Sequence, residues 1–251
     1  MTNVIVTENV SKTIDQKTIV DDISIQVAQG EILGILGRNG AGKTSLMKLL
    51  LNIISPSTGT IQLLDKTVTT QDNSVLGEIG CLIETPVFYN QLSARENLEI
   101  HCLYIDEKHC ENISETMALV GLGGKENELV SSFSLGMKQR LGIARAIVTK
   151  PKILILDEPI NGLDPIGMID VRNILSEMNQ TYQTTILISS HIITELSQIA
   201  SRIIIMEEGK IIRSLDQIEL EQEERSLEEV FIEIIQNYQN PAKNFVNGES
   251  Q

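Results

Sequence analysis

Residues Gly37-Arg38-Asn39-Gly40-Ala41-Gly42-Lys43-Thr44 fit the pattern G-x-x-x-x-G-K-[ST] at every fixed position. The flanks matter as much as the match. An apolar run, EILGIL at 31–36, reads as a buried strand, and 44–52 reads as a helix. Strand, glycine turn and helix in that order make a phosphate cradle. The glycines let successive backbone N–H groups converge on phosphate oxygens, and the helix N-terminus adds partial positive charge. Lys43 brings a full charge for the β- and γ-phosphates, and the Thr44 hydroxyl suits Mg²⁺. The predicted nucleotide contacts are therefore Gly37, Arg38, Asn39, Gly40, Ala41, Gly42, Lys43, Thr44 and Ser45.

Further along, strands and helices alternate. Ile23, Ile25 and Val27 alternate with polar residues as on a half-buried strand. Thr58-Gly59 marks a turn before a strand at 60–64, and 78–83 reads as another strand. From about 90 to 149 the pattern is helical only. Ser93 and Glu96 form a capping box, while Ile113, Met117 and Val120 line one face of a second helix. The glycines at 121, 123 and 124 end that helix, and Ser134 caps a third. Alternation resumes with strands at 152–156, 184–189 and 202–206 and a helix at 167–180. The fold class is α/β, a mostly parallel core interrupted by a helical insertion.

With 251 residues, 41% of them hydrophobic, the chain can bury a substantial core. Its 34 acidic and 20 basic residues give a net charge of −14, which disfavours nucleic-acid phosphates and anionic lipid as partners. Eight carboxylates and one arginine fall between Asp216 and Glu233, read as a solvated helical face. Three cysteines make no disulfide framework, and no signal peptide or membrane-spanning run is expected. His101-Cys102 and His109-Cys110 match no zinc spacing. The segment from 236 to 251 reads as a polar tail.

A second acidic feature completes the chemistry. The apolar strand at 153–156 runs into Asp157-Glu158. Asp157 suits the metal opposite Thr44. Glu158, expected to point the other way along the strand, is the candidate general base for an attacking water.

Between these motifs lies Ser132-Phe133-Ser134-Leu135-Gly136-Met137-Lys138-Gln139. It resembles the signature of the ATP-binding cassette (ABC) ATPases. The phosphate loop, signature, Asp157-Glu158, Asn161-Gly162-Leu163-Asp164 and His191 follow that family's order over residues 3 to 235. The resemblance implies a P-loop NTPase core with an N-terminal antiparallel β-subdomain and an inserted helical subdomain. It implies ATP and Mg²⁺ as ligands, and a head-to-tail dimer of two copies or two paralogues. Ser134, Gly136 and Met137 of one subunit then reach the ATP held by the other's loop. Lys43, Glu158 and the switch-like His191 are the implied catalytic residues. The implied setting is cytoplasmic, on the inner face of the membrane beside a transmembrane permease that docks near 84–98.

Two departures narrow the resemblance. Glu84 stands where the family usually has glutamine, a position that contacts Mg²⁺; Thr44, Asp157 and Glu84 are thus the implied metal residues. This glutamate, with the Ser-Leu-Gly-Met-Lys-Gln signature, resembles the subgroup that expels lantibiotics or bacitracin-type peptide antibiotics. The family also stacks adenine on an aromatic ahead of the loop, where this chain has Ile14 and no aromatic before Phe88. Weak base selectivity is the expectation, with GTP hydrolysed nearly as well as ATP. Other exporters with different cargo, and non-transport ABC proteins, are the alternatives. The latter usually carry two cassettes or a long coiled coil, and neither is present.

Overall fold

The computed structural model describes residues 2–69, 72–223 and 225–240. The chain opens with an antiparallel pair, β1 (Asn3–Ile14) and β2 (Lys17–Ala28), then enters β3 (Ile32–Gly37). Helix α1 (Lys43–Leu50) follows the glycine loop, and β4 (Thr58–Leu63) with β5 (Lys66–Thr67) returns alongside β1. Strand β6 (Ile79–Leu82) leads into α2 (Ala94–Ile105), α3 (Ile113–Leu119) and α4 (Leu135–Ile147). The remainder is β7 (Ile153–Leu156), α5 (Pro165–Tyr182), β8 (Thr185–Ser190), α6 (Ile193–Ser197), β9 (Arg202–Glu207), β10 (Lys210–Asp216), α7 (Gln217–Gln222) and α8 (Leu227–Gln239).

Two sheets result. One is antiparallel, in the order β2-β1-β4-β5. The other has the order β10-β9-β3-β8-β7-β6, parallel throughout except for β10 at its edge. The parallel strands are covered on both faces, which is why they read as continuous apolar runs. Leu36, Leu154, Leu156, Ile186 and Ile188 pack on one side with α2 to α5. Leu33, Ile35, Ile153, Ile155 and Leu187 pack on the other with α1 and the antiparallel sheet. Each such fully buried side chain contributes about 1.5–3 kcal/mol by leaving water.

The capping predictions hold. Ser93 and Glu96 form a capping box on α2, and Ser134 Oγ accepts from the Met137 N–H at the start of α4. Ile113, Met117 and Val120 are buried, and the second helix ends at Leu119 before the glycines.

Several local expectations change. Thr58-Gly59 is not a turn but the start of β4, where Thr58 pairs with Ser11. Asn9, at φ 48, bulges out of β1 there, and a Cβ on Gly59 would lie 2.4 Å from the Asn9 carbonyl oxygen. A separate register shift between Asn3 and Ile5 leaves Val4 and Ile5 both buried and hides the start of β1 from a period-2 search. The acidic stretch from 216 is not one helical face: α7 ends at Gln222 and α8 begins at Leu227. Helix α8 continues to Gln239, four residues beyond 235, and the rest of the polar tail, from 241, lies outside the described residues.

Candidate functional site: a glycine loop at the ends of adjacent parallel strands

Strands β3, β8 and β7 are neighbours, and parallel pairing brings their C-terminal ends to one edge of the sheet. The phosphate loop leaves β3, His191 follows β8, and Asp157-Glu158 follow β7. Residues more than a hundred positions apart meet there for that reason. A cavity of 580 Å³ opens over the loop, lined by residues 38–45 with Lys17, Thr18, Ile19, Glu158, Asn161, Glu208 and Gly209.

Gly42 shows why the loop needs glycine. Its φ is +104, and a Cβ would lie 2.7 Å from the Ile19 carbonyl oxygen. The turn is also fastened from outside: Gly209 N–H donates to the Ala41 carbonyl and Asp21 N–H to the Gly209 carbonyl, at 2.9 Å each. Lys43 is buried, and its ammonium donates to the carbonyls of Gly37 at 2.7 Å and Arg38 at 3.3 Å. The same nitrogen lies 3.2 Å from Glu158 Oε1.

The acids sit differently from the strand-alternation expectation. Strand β7 ends at Leu156, and Glu158 has φ 49, so its direction is set by a left-handed turn and not by the pleat. That turn aims the carboxylate at Lys43 and at His191, whose Nδ1 lies 2.7 Å from Glu158 Oε2. Asp157 is buried and accepts from Thr44 Oγ1 at 2.7 Å through Oδ2. Its other oxygen accepts from Ser189 Oγ at 2.6 Å, a partner that no motif in the sequence marks. Thr44 and Asp157 thus present paired hard oxygen donors beside the loop, the chemistry a Mg²⁺ ion selects.

Glu84 is held elsewhere. Its carboxylate is 2.6 Å from Lys48 Nζ in an exposed ion pair, and it does not touch Thr44 or Asp157. Lys48 lies one turn beyond Thr44 on the same face of α1. Lys48 escaped notice in the sequence because only the folded strand order brings α1 and the end of β6 together.

The signature residues do not line the loop cavity of their own chain. Ser134 is exposed at the start of α4, and Gly136 and Met137 follow in its first turn. Gln139 Nε2 donates to the Pro159 carbonyl at 3.0 Å, tying this helix to the segment after Glu158. Asp164 caps α5, accepting from Gly167 N–H at 2.7 Å. Among the described residues no aromatic lines the cavity; its wall beside the loop is Lys17, Thr18 and Ile19.

Comparison with known proteins agrees with this geometry. The family profile described as ABC transporter matches residues 20–161, more than half of the chain. The bacitracin transport ATP-binding protein BcrA of Enterococcus faecalis is 42% identical over 229 residues, covering 91% of this chain and 74% of BcrA. The lantibiotic transport ATP-binding protein SrtF of Streptococcus pyogenes is 39% identical over 205 residues, covering 82% of this chain and 87% of SrtF. Among solved structures, the ATP-binding subunit of an ABC transporter superposes with a TM-score of 0.81 at 22% identity, covering 92% of this chain and 99% of that one, which shows the shared fold. The chain belongs to the ABC transporter family and is one of its ATP-hydrolysing, ATP-binding subunits.

Proposed function

We propose that the chain hydrolyses Mg²⁺-ATP as one half of a head-to-tail pair and thereby drives a separate transmembrane permease in expelling a peptide antibiotic of the bacitracin or lantibiotic kind. The observation that carries the hydrolytic part is Glu158 flanked by Lys43 and His191 at the mouth of the loop cavity.

The loop N–H groups and Lys43 bind and orient the β- and γ-phosphates, and their charge opposes the charge that builds up on the phosphoryl oxygens. Glu158 takes a proton from the attacking water, for which it needs a fixed carboxylate at the cavity edge; Lys43 and His191 hold it there. His191 positions Glu158 from the other side. Thr44 and Asp157 would hold Mg²⁺, which would supply neutralisation of the phosphate charge.

The pairing is supported by what one chain lacks. Ser134 caps an exposed helix N-terminus, a ready anion site, yet it does not line its own loop cavity. A second copy facing the first would supply that helix end to each nucleotide, making ATP a dimerising ligand. The cassette MJ0796, similar in fold at 20% identity, was solved as a dimer in a post-hydrolysis state bound to ADP and Pi.

Among the described residues no helix is long and apolar enough to cross a membrane. The membrane path then belongs to the permease, and this chain sits against it on the cytoplasmic side. Val87 and Tyr89, just past Glu84, expose 81% and 63% of their surface and offer an apolar foothold for docking. The names of BcrA and SrtF, with Glu84 at its family position, support a peptide-antibiotic cargo. Co-expression in a sensitive host with a transmembrane permease subunit from the same source tests this. The minimum inhibitory concentration of bacitracin or a lantibiotic should rise at least about fourfold and fall back with E158Q. No rise with either class of peptide removes the cargo.

A further inference from the structure

We infer that Ser189 is a positioning residue for both acids of the site. It is fully buried on β8, two residues before His191. Its hydroxyl donates to Asp157 Oδ1 at 2.6 Å and accepts the Glu158 N–H at 2.9 Å. A serine hydroxyl has one hydrogen, and a carboxylate oxygen accepts it, so the direction of both bonds is fixed. One side chain therefore locks the carboxylate opposite Thr44 and the backbone of the base.

The second bond matters because of the Glu158 conformation. At φ 49 a non-glycine residue is strained and persists only where its surroundings over-determine it. The Ser189 bond pins the amide of Glu158, while Lys43 and His191 pin its carboxylate. Released from Ser189, Glu158 would drift from the place where it meets the water. Asp157 would keep Thr44 as its one remaining side-chain hydroxyl partner, loosening the oxygen pair offered to Mg²⁺. Neither effect requires Ser189 to touch substrate.

This inference rests on the roles proposed for Asp157 and Glu158, and its test separates the two. S189A and the near-isosteric S189C should each lower kcat about ten- to a hundredfold with KM for ATP within about threefold, because the lost geometry matters in the transition state. At saturating Mg²⁺ in the E158Q background, S189A should lower the single-turnover rate no more than about threefold further, since the part of its effect that runs through Glu158 is already lost. Without turnover, in E158Q, S189A should raise the Mg²⁺ concentration that half-saturates binding of a fluorescent ATP analogue at least about threefold through Asp157. If S189A fails to fold, S189C carries the test. Unchanged kcat in the hydroxyl-free variants, or a full additional loss on top of E158Q, overturns the positioning role. Wild-type hydrolysis by E158Q would instead remove Glu158 as base, while the Mg²⁺ readout still judges the Ser189–Asp157 link.

Discussion

His191 Nδ1 and Glu158 Oε2 lie 2.7 Å apart, at the ends of adjacent parallel strands whose sequences are separated by the whole of α5. The contact holds the base candidate from the side opposite Lys43. E158Q should keep nucleotide binding within about threefold and lose at least about a hundredfold in kcat, the range of general-base catalysis. H191A should lose less, and the double variant should fall no further than E158Q. Steady-state kinetics with a fluorescent nucleotide titration check this.

The Lys48–Glu84 pair is exposed, Glu84 by 64%, so it adds little to stability. E84Q and K48A should each leave the melting temperature within a few degrees. Glu84 pairs with a lysine one turn beyond Thr44 on α1, and if its negative charge helps hold the metal, E84Q should raise the Mg²⁺ concentration for half-maximal hydrolysis several-fold. K48A, which frees that carboxylate, should lower it. Mg²⁺ titrations of ATPase rate read both.

Away from the site, burial lowers the pKa of His101 to about 4, with the neighbouring Arg145 cation and His109 adding to the shift. The folded chain therefore keeps His101 neutral where the unfolded chain, titrating near 6.5, binds a proton. Stability from this group is complete above about pH 6.5 and is lost as pH falls toward 4. H101Q should flatten that part of the stability–pH curve, measured by urea midpoints between pH 4 and 7.

Among the described residues no aromatic stands in the cavity wall, and this bears on the base. Stacking of a base on an aromatic is worth about 1–3 kcal/mol, and here Ile19, Thr18 and Lys17 stand in its place. GTP should be hydrolysed with a kcat/KM within about a hundredfold of that for ATP. A larger preference for ATP contradicts the expectation.

Most of the fold was legible because its parallel strands are buried on both faces and two of its helices are capped by Ser93 and Ser134. The loop and the acids were legible because their chemistry needs fixed residue types at fixed spacing. What escaped was set by neighbours distant in sequence. Strand β1 lost its alternation to bulges, and the edge strand β10 buries only Leu215. Ser189 and Lys48 are ordinary residues until strand pairing sets them against Asp157 and Glu84. Glu158 was expected to follow the pleat, but β7 ends at Leu156 and Glu158 itself takes a left-handed conformation.

The sharing of each hydrolytic centre between two copies is tested most directly by specific ATPase activity across a protein dilution series, for the wild type and for S134A with G136A. A Cβ on Gly136 would meet Leu163 Cδ2 at 3.7 Å, an ordinary contact, so the fold accepts the change. Wild-type activity per molecule should fall on dilution, and the double variant should be at least about tenfold slower at every concentration. Constant specific activity down to a monomeric solution, with the double variant as fast as the wild type, would contradict the sandwich.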